Sequence, residues 1–177
     1  MLSLTRPLNR GVEMDKSHRG NASQFFVAGE LCRRGLVAVV TLGNSPNTDI
    51  LCSNRQGTKF VHIQVKTYRA GKDEGVTVGR KAELAYGENF VWVLSGIPEP
   101  DSISPFEYFI IPAKEVSKHV SEGHQAWLLA PGKKGQAHQD SSIRIIHIPP
   151  GKPKYTNWDI EQYKNNWSVI TKLLQEG

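Results

Sequence analysis

The sequence predicts an α/β domain in which a central mixed β-sheet is flanked by helices. Two continuous apolar runs, LVAVVTL at 36–42 and FVWVLSG at 90–96, have the composition of strands that are buried on both faces. Helical patterns lie at 21–35 and from Thr156 onward. Buried strands between helical segments are typical of a sheet with helices packed against it, and the run at 36–42 is expected at the centre of that sheet.

The first helix is predicted to begin at Asn21 and to stop at Gly35. Asn21 is a capping residue type, and Gln24 follows it by three positions, as in a capping box. Glu30 lies about one helical turn after Val27, so its carboxylate is expected on or beside the buried stripe of this helix.

Length and composition set the class of protein. The chain has 177 residues, which suits one domain over 19–177 preceded by a flexible, polar arm over 1–18. No apolar run approaches the roughly 20 residues that span a bilayer, and the N-terminus lacks the apolar core of a secretory signal, so no membrane association and a cytoplasmic location are expected. Cys32 and Cys52 have no metal-binding spacing and are predicted to be buried thiols.

One acidic residue and two polar residues fall on two adjacent predicted strands. Asp49 lies in the stretch NTDILCSN, which leaves a Pro/Asn turn, and NRQG then forms a hairpin connection into FVHIQVKT. Side chains alternate along a strand, so His62, Gln64 and Lys66 share one face. A hairpin brings its outer ends together, so Asp49 is expected near Gln64 and Lys66.

The second half of the chain continues the α/β pattern. YFIIP at 108–112 is a predicted strand, and a helix begins near Ala113. HQAWLLAPGKKG is a second helical or irregular piece, and SIRIIHI at 142–148 is an edge strand or an extended segment. Thr156 opens an amphipathic closing helix with apolar residues repeated to Leu174.

Glu30, Asp49, Gln64 and Lys66 together have the chemistry of metal-assisted phosphodiester hydrolysis. Hard oxygen ligands from Asp49, Gln64 and Glu30 suit Mg²⁺ or Mn²⁺, which polarises a phosphate and lowers the pKa of an attacking water. Lys66 adds positive charge near that water or the phosphate oxygens.

The formal net charge of +5 favours a polyanionic partner. Arg34 and Arg69 belong to basic pairs that flank the candidate site, and Lys133 and Lys134 lie in the loop PGKKG, which is suited to phosphate contacts. A solvated loop is the alternative interpretation of PGKKG.

The sequence pattern favours structural roles for several other polar and aromatic residues. His124, His138 and Asp140 match no strong metal-ligand spacing, and His62 either lines the candidate site or is a structural histidine. The four tryptophans lie in apolar patterns typical of a core. They are Trp92, Trp127, Trp158 and Trp167.

These motifs resemble the PD-(D/E)xK nuclease superfamily, whose core is a helix followed by a three-stranded meander. The resemblance rests on Glu30 in GELCRRG, Asp49 in NTDIL, and Gln64 with Lys66 in IQVKT. From about residue 20 to 175 the chain is also similar to a group of small bacterial proteins. Those proteins share QVKT, a PxKxV helix start, an HxxWL segment, a Gly/Lys loop followed by His-x-Asp, and a late Trp.

The resemblance implies a restriction-endonuclease-like core and divalent-metal-dependent cleavage of DNA in restriction, repair or defence, with RNA left open as a substrate. It also implies pairing into a homodimer, because small nucleases that cut two strands often pair. Gln64 departs from the usual Asp or Glu, so metal binding is expected to be weaker than in the superfamily. The alternative is an inactive nuclease fold that binds nucleic acid or a protein partner.

Overall fold

The computed structural model describes residues 15–42 and 45–175. The described chain forms three helices and seven strands. In chain order they are α1 Lys16–Cys32, β1 Val37–Val40, β2 Ile50–Ser53, β3 Phe60–Arg69, β4 Gly75–Thr77, β5 Phe90–Ile97, β6 Glu107–Pro112, α2 Ala113–Leu129, β7 Ile145–His147 and α3 Ser168–Leu173. Short 3₁₀ turns span Arg80–Glu83 and Glu161–Tyr163.

Five of the strands form one mixed sheet in the order β1-β2-β3-β5-β6. β3 pairs with β5 in parallel, and the other three pairings are antiparallel. β4 and β7 form a separate antiparallel pair. The predicted class, a central mixed sheet flanked by helices, is confirmed.

Two apolar cores lie on opposite faces of the main sheet. On one face, Val27 and Leu31 of α1 and Ile170 of α3 pack against the sheet. On the other face, α2 and the β4–β7 pair pack through Val116 and Ile146. Alternate residues of β5 enter the two cores, which is the outcome expected for a continuous apolar strand.

A close contact between β3 and β5 requires glycine at position 96. A Cβ placed on Gly96 would lie 2.5 Å from the ring of Tyr68 on β3. The Tyr68 hydroxyl donates to Glu107 at 3.2 Å, so the ring is fixed across the three strands β3, β5 and β6.

β1 lies at the edge of the sheet, and the prediction of a central strand for residues 36–42 is wrong. Val37 and Val39 are about half exposed, at 45% and 56%, while Ala38 and Val40 pack against the core beneath α1. α2 packs over β5 and β6, and it leaves this face of β1 uncovered. A β-branched run therefore predicts the strand here but not its place in the sheet.

α1 begins earlier than predicted. Asp15 caps the helix by accepting a hydrogen bond from the Ser17 N–H at 2.8 Å, so Asn21 lies inside the helix and caps nothing. The predicted arm over 1–18 overlaps α1 at its last residues, and its first 14 residues lie outside the described part of the chain. The predicted stop is confirmed, since Gly35 has a φ of +81° and donates to the Cys32 carbonyl.

The predicted closing helix is also wrong in its extent. Only Ser168–Leu173 form an α-helix, because Asn165 takes a left-handed φ of 51° and donates its N–H to the Tyr108 carbonyl on β6 at 2.6 Å. Ile160 is buried in the core beneath α2, whereas Trp167 is buried in the core beneath α1. The tail therefore crosses the outer edge of β6, and its apolar residues serve both faces of the sheet.

The structure shows the conformation of two segments in the second half for which the sequence left alternatives. HQAWLL continues α2 to Leu129, and residues 145–147 within SIRIIHI form β7. None of the helices in the described ranges has the length and apolar character needed to cross a membrane.

The two cysteines differ in exposure, so the prediction of two buried thiols is wrong for one of them. Cys52 is buried, and burial raises its pKa to about 12. Cys32 is exposed on α1.

We expect Ellman's reagent to titrate one thiol per native chain and two in denaturant, because Cys52 stays protonated and out of reach while the fold holds. The Cys32→Ser variant should show no reactive thiol until it unfolds. Equal native reaction rates for both cysteines would contradict the placement of Cys52 in the core.

Candidate functional site

Asp49 lies where β2 separates from β3. Its N–H donates to the Ile63 carbonyl at 2.9 Å, which extends the Ile50–Ile63 pairing by one residue and sets Asp49 opposite Gln64. Asn47, two residues earlier, has a φ of 64° and turns the chain away. β3 therefore loses its neighbour on this side from Val65 onward.

The Asp49 carboxylate accepts hydrogen bonds from two groups of β3 and from one side chain of α1. One oxygen, Oδ2, accepts from the Val65 N–H at 2.7 Å and from the side-chain amide of Gln64. The other, Oδ1, accepts from the Gln24 amide on α1 at 3.3 Å. The carboxylate is thus fixed between α1 and β3.

Burial raises the pKa of Asp49, although the Val65 N–H, the Lys66 charge and the Gln64 amide each act to lower it. The ionised carboxylate is therefore only partly compensated by its protein neighbours. A cation beside it would favour the ionised form.

Lys66 is close enough to Asp49 for its charge to act on that carboxyl group. It lies two residues after Gln64 on β3, so the two side chains share a face of the sheet. Within residues 15–42 and 45–175, no hydrogen bond or ion pair engages the Lys66 ammonium. Asp49, Gln64 and Lys66 are thus brought together as the strand spacing predicts.

Glu30, by contrast, is held by arginines and lies elsewhere on α1. Its carboxylate binds Arg33 Nε at 2.8 Å and also Arg34. Burial acts to raise the pKa of Glu30, but the hydrogen bonds from Arg34 and Arg33 outweigh it and hold this pKa below its usual value. Glu30 lines a surface cavity with Phe26 and Trp167.

Helix geometry explains why Gln24, and not Glu30, meets Asp49. Six residues separate them, which places them about 9 Å apart along the helix axis and roughly 120° apart around it. Gln24 was predicted only as a partner in a capping box. Its spacing of three and seven residues from the buried Val27 and Leu31 is the signal that places it beside the sheet.

His62 shares the face of Gln64 and Lys66, but its Nδ1 lies 3.2 Å from the Thr48 hydroxyl. This contact ties β3 to the turn that precedes Asp49. The structural interpretation of His62 therefore has a specific contact to support it.

The four predicted nucleic-acid contacts fall into two groups. Arg69 binds the Asp73 carboxylate through two nitrogens, at 2.7 and 3.0 Å, and Arg34 lies 4.5 Å from the ring centre of Trp167 besides its pairing with Glu30. Lys133 and Lys134 are exposed in a compact turn. In that turn the Gly132 N–H donates to the Gln136 carbonyl at 2.8 Å.

His124, His138 and Asp140 fasten this turn to α2. His124 Nε2 lies 2.8 Å from Asp140 Oδ1, and the Trp127 ring stacks on both His124 and His138 at 5.3 and 4.2 Å between centres. Arg80 also pairs with Asp140 at 2.7 Å. The HxxWL segment and the His-x-Asp motif are therefore two halves of one contact.

The comparisons with known proteins concern the fold. No protein-family model matches this sequence, and no curated protein matches it. A solved structure titled as a bacterial homing endonuclease, I-Ssp6803I, superposes with a TM-score of 0.52 over 89% of this chain and 93% of that chain, at 14% sequence identity. The chain therefore shares its fold with a homing endonuclease.

The Asp49→Asn variant tests whether the carboxylate at this site costs stability. Because the folded-state pKa of Asp49 is raised above 3.8, its stabilising effect is present below that pH and is lost as pH rises through the folded-state pKa. Asparagine keeps an oxygen for the Val65 N–H and does not ionise. We therefore expect the unfolding free energy of the variant, relative to the parent, to rise with pH across that window and then level off.

Urea denaturation at intervals from about pH 3 to about pH 8 measures this difference. The matched control is Asp159→Asn, which changes an exposed aspartate far along the chain. A variant that is destabilised equally at every pH would show that Asp49 serves mainly as a structural cap for β3.

Proposed function

We propose that this protein is a divalent-metal-dependent nuclease that hydrolyses DNA phosphodiester bonds. The observation that carries the proposal is the partly buried Asp49 carboxylate, held by the amides of Gln24 and Gln64 with Lys66 beside it, at the point where β2 and β3 part. The fold shared with a homing endonuclease supports it. So does the resemblance of these motifs to the PD-(D/E)xK superfamily.

The donor atoms at this site fit Mg²⁺ or Mn²⁺. Asp49 contributes a carboxylate whose raised pKa reflects incomplete compensation of its charge, and each neighbouring glutamine has a carbonyl oxygen as well as its amide donor. Oxygen donors of this kind suit hard divalent ions, which commonly complete their shells with water and substrate phosphates. With a single carboxylate, the protein's own contribution to affinity is small, and Mn²⁺ tolerates such a mixed set more readily.

Each residue of the site has a separate role in phosphodiester hydrolysis. A divalent ion, when bound, supplies Lewis acidity toward the phosphate and lowers the pKa of a coordinated water. Asp49 supplies the negative charge that holds the ion, and Gln24 and Gln64 fix the orientation of that carboxylate. Lys66, whose ammonium makes no hydrogen bond or ion pair in the described ranges, directs its charge at the phosphate oxygens where negative charge develops.

The wider setting belongs to the same proposal. In this proposal Lys133 and Lys134 contact the phosphate backbone, and pairing of two copies allows both strands to be cut. The proposal also includes a role in restriction, repair or defence and a cytoplasmic location. RNA is the alternative substrate, since phosphate contacts alone do not distinguish the two polymers.

A non-catalytic binding module is the second candidate, and two observations favour it. Among the described residues no group of three or more His, Cys, Asp or Glu side chains could hold a metal ion, and Glu30 is neutralised by arginines. In this alternative, Asp49 only caps the exposed edge of β3 and Lys66 binds phosphate without cleavage.

Cleavage assays on site variants decide between the two candidates. Asp49→Ala should abolish cleavage, and Lys66→Ala should reduce its rate roughly 100-fold or more with a smaller effect on DNA binding. Gln64→Glu restores a carboxylate and should tighten metal binding while preserving or raising the cleavage rate. The measurements are cleavage of labelled supercoiled, linear, single-stranded and branched DNA with Mg²⁺ or Mn²⁺, and metal titration by calorimetry.

Glu30→Gln is the matched control on α1. It removes a carboxylate of the same helix that pairs with arginines, so cleavage and metal affinity should stay within about twofold of the parent, whereas Gln24→Ala should weaken both. If the parent binds no divalent ion, cuts none of these substrates and stays inert as Gln64→Glu, the binding module is the better account.

The salt dependence of DNA binding tests the role of the PGKKG turn. Replacing Lys133 and Lys134 by Ala should lower the slope of log affinity against log salt by about 1 to 2, because each lost phosphate contact removes one released counterion. Fluorescence anisotropy with labelled duplex measures this slope. Lys172→Ala on α3, on the opposite face of the sheet, is the control. An equal change of slope in this variant would indicate that Lys133 and Lys134 are solvated and do not contact DNA.

A further inference from the structure

A second cavity lies away from Asp49, between α2, β7 and the segment 153–158. It has a volume of about 430 Å³, within the range of roughly 300 to 1,000 Å³ that small-molecule sites occupy. Its lining is mostly apolar. The β4–β7 pair and α2 belong to the same face of the main sheet as Gln64 and Lys66.

Flat aromatic pairs form two of the cavity walls. Trp158 stacks on His119 with ring centres 4.8 Å apart and an interplanar angle of 14°. Trp127 stacks on His124 at 5.3 Å and 28°. Aromatic side chains that line a cavity in this way suit a planar ring, which can pack against them face-on or edge-on.

β7 and the residues before it contribute exposed apolar side chains to the same cavity. Ile143 and Ile145 line it and are 57% and 52% exposed. Arg144 and Ile146, which alternate with them along the chain, are buried, at 4% and 1%. Two isoleucines left half exposed in a concave surface indicate a ligand that covers them.

The basic side chains of the cavity differ in whether an acidic side chain already binds them. Arg144 is committed to Glu83, which it binds through Nε at 2.5 Å, and His124 is committed to Asp140. Lys154 is exposed and lies 5.1 Å from the ring centre of Tyr155. For Lys154 and His147, the described ranges contain no hydrogen bond or ion pair to an acidic group.

We propose that this cavity binds a single nucleotide, with the base against the tryptophan walls and the phosphate at Lys154 and His147. A purely apolar ligand would leave the Lys154 ammonium and the His147 imidazole without a role. A simple anion would leave the two aromatic walls and the isoleucines uncovered. A planar heteroaromatic ring that carries a phosphate satisfies all three features of the lining.

This chemistry has two sources: a free mononucleotide, or an unpaired nucleotide of a DNA strand. The residues of the cavity are separate from Asp49, Gln64 and Lys66, so nucleotide binding does not depend on the proposed nuclease activity. Nucleotide binding can therefore be measured in the Asp49→Ala variant, where a loss of cleavage does not affect the test of this cavity.

Binding is measured with the full chain by tryptophan fluorescence and calorimetry, without metal. The probes are dAMP, TMP, deoxyadenosine, a short single strand containing 2-aminopurine, and a blunt duplex of the same sequence. We expect the mononucleotides or the single strand to bind, deoxyadenosine to bind at least fivefold more weakly than dAMP, and Asp49→Ala to leave the affinities for dAMP, TMP and deoxyadenosine unchanged. Binding of the mononucleotides would identify the ligand as a free mononucleotide. Binding of the single strand alone would identify it as an unpaired nucleotide of a DNA strand.

Lys154→Ala is the test variant, because this exposed side chain can be removed without disturbing the fold, and it should weaken binding about tenfold. Lys152→Ala, two residues earlier and outside the cavity lining, is the matched control and should bind as the parent does. His147→Asn gives an independent second variant, with circular dichroism to confirm its fold. Absence of binding by every nucleotide probe up to about 1 mM, or equal losses in Lys154→Ala and Lys152→Ala, overturns the proposal.

Discussion

The candidate site depends on a mismatch in length between neighbouring strands. β3 has ten residues, whereas β2 has four, so the N–H groups of β3 on that side lose their partners from Val65 onward. A buried backbone N–H without an acceptor is costly, and two carboxylates supply acceptors here. Asp49 accepts from Val65 at 2.7 Å, and Asp73 accepts from Arg69 at 2.8 Å. The need to satisfy the edge of β3 thus places an acid beside Gln64 and Lys66.

Much of this arrangement was predictable from local patterns. The alternation in FVHIQVKT places Gln64 and Lys66 on one face, and the NRQG hairpin fixes their relation to Asp49, because both are properties of a few consecutive residues. The helix contribution was not predictable in the same way. Whether Gln24 or Glu30 reaches the sheet depends on how α1 is rotated against it, and Arg33 and Arg34 compete for Glu30 from within the helix itself.

Long-range packing also explains why the position of β1 in the sheet and the extent of the closing helix were predicted wrongly. β1 and β5 are both apolar runs with β-branched residues, yet β5 is covered on both faces. β1 is the end strand of the sheet, and α2 does not extend over it. The apolar repeat after Thr156 has helical spacing, but Ile160 and Trp167 enter different cores. A sequence pattern predicts that these side chains are buried, but it does not predict on which face of the sheet they are buried.

The passage of the C-terminal tail across β6 has a consequence for how the protein unfolds. One segment of fewer than twenty residues supplies side chains to both cores, and Asn165 joins it to the strand between them through its N–H to Tyr108 and through its side chain, which accepts from the Tyr108 N–H at 3.3 Å. Detaching the tail would expose apolar surface on both faces of the sheet and free the edge of β6 at the same moment. The tail therefore couples the two halves of the interior into one cooperative unit, in which neither layer can melt while the other stays closed.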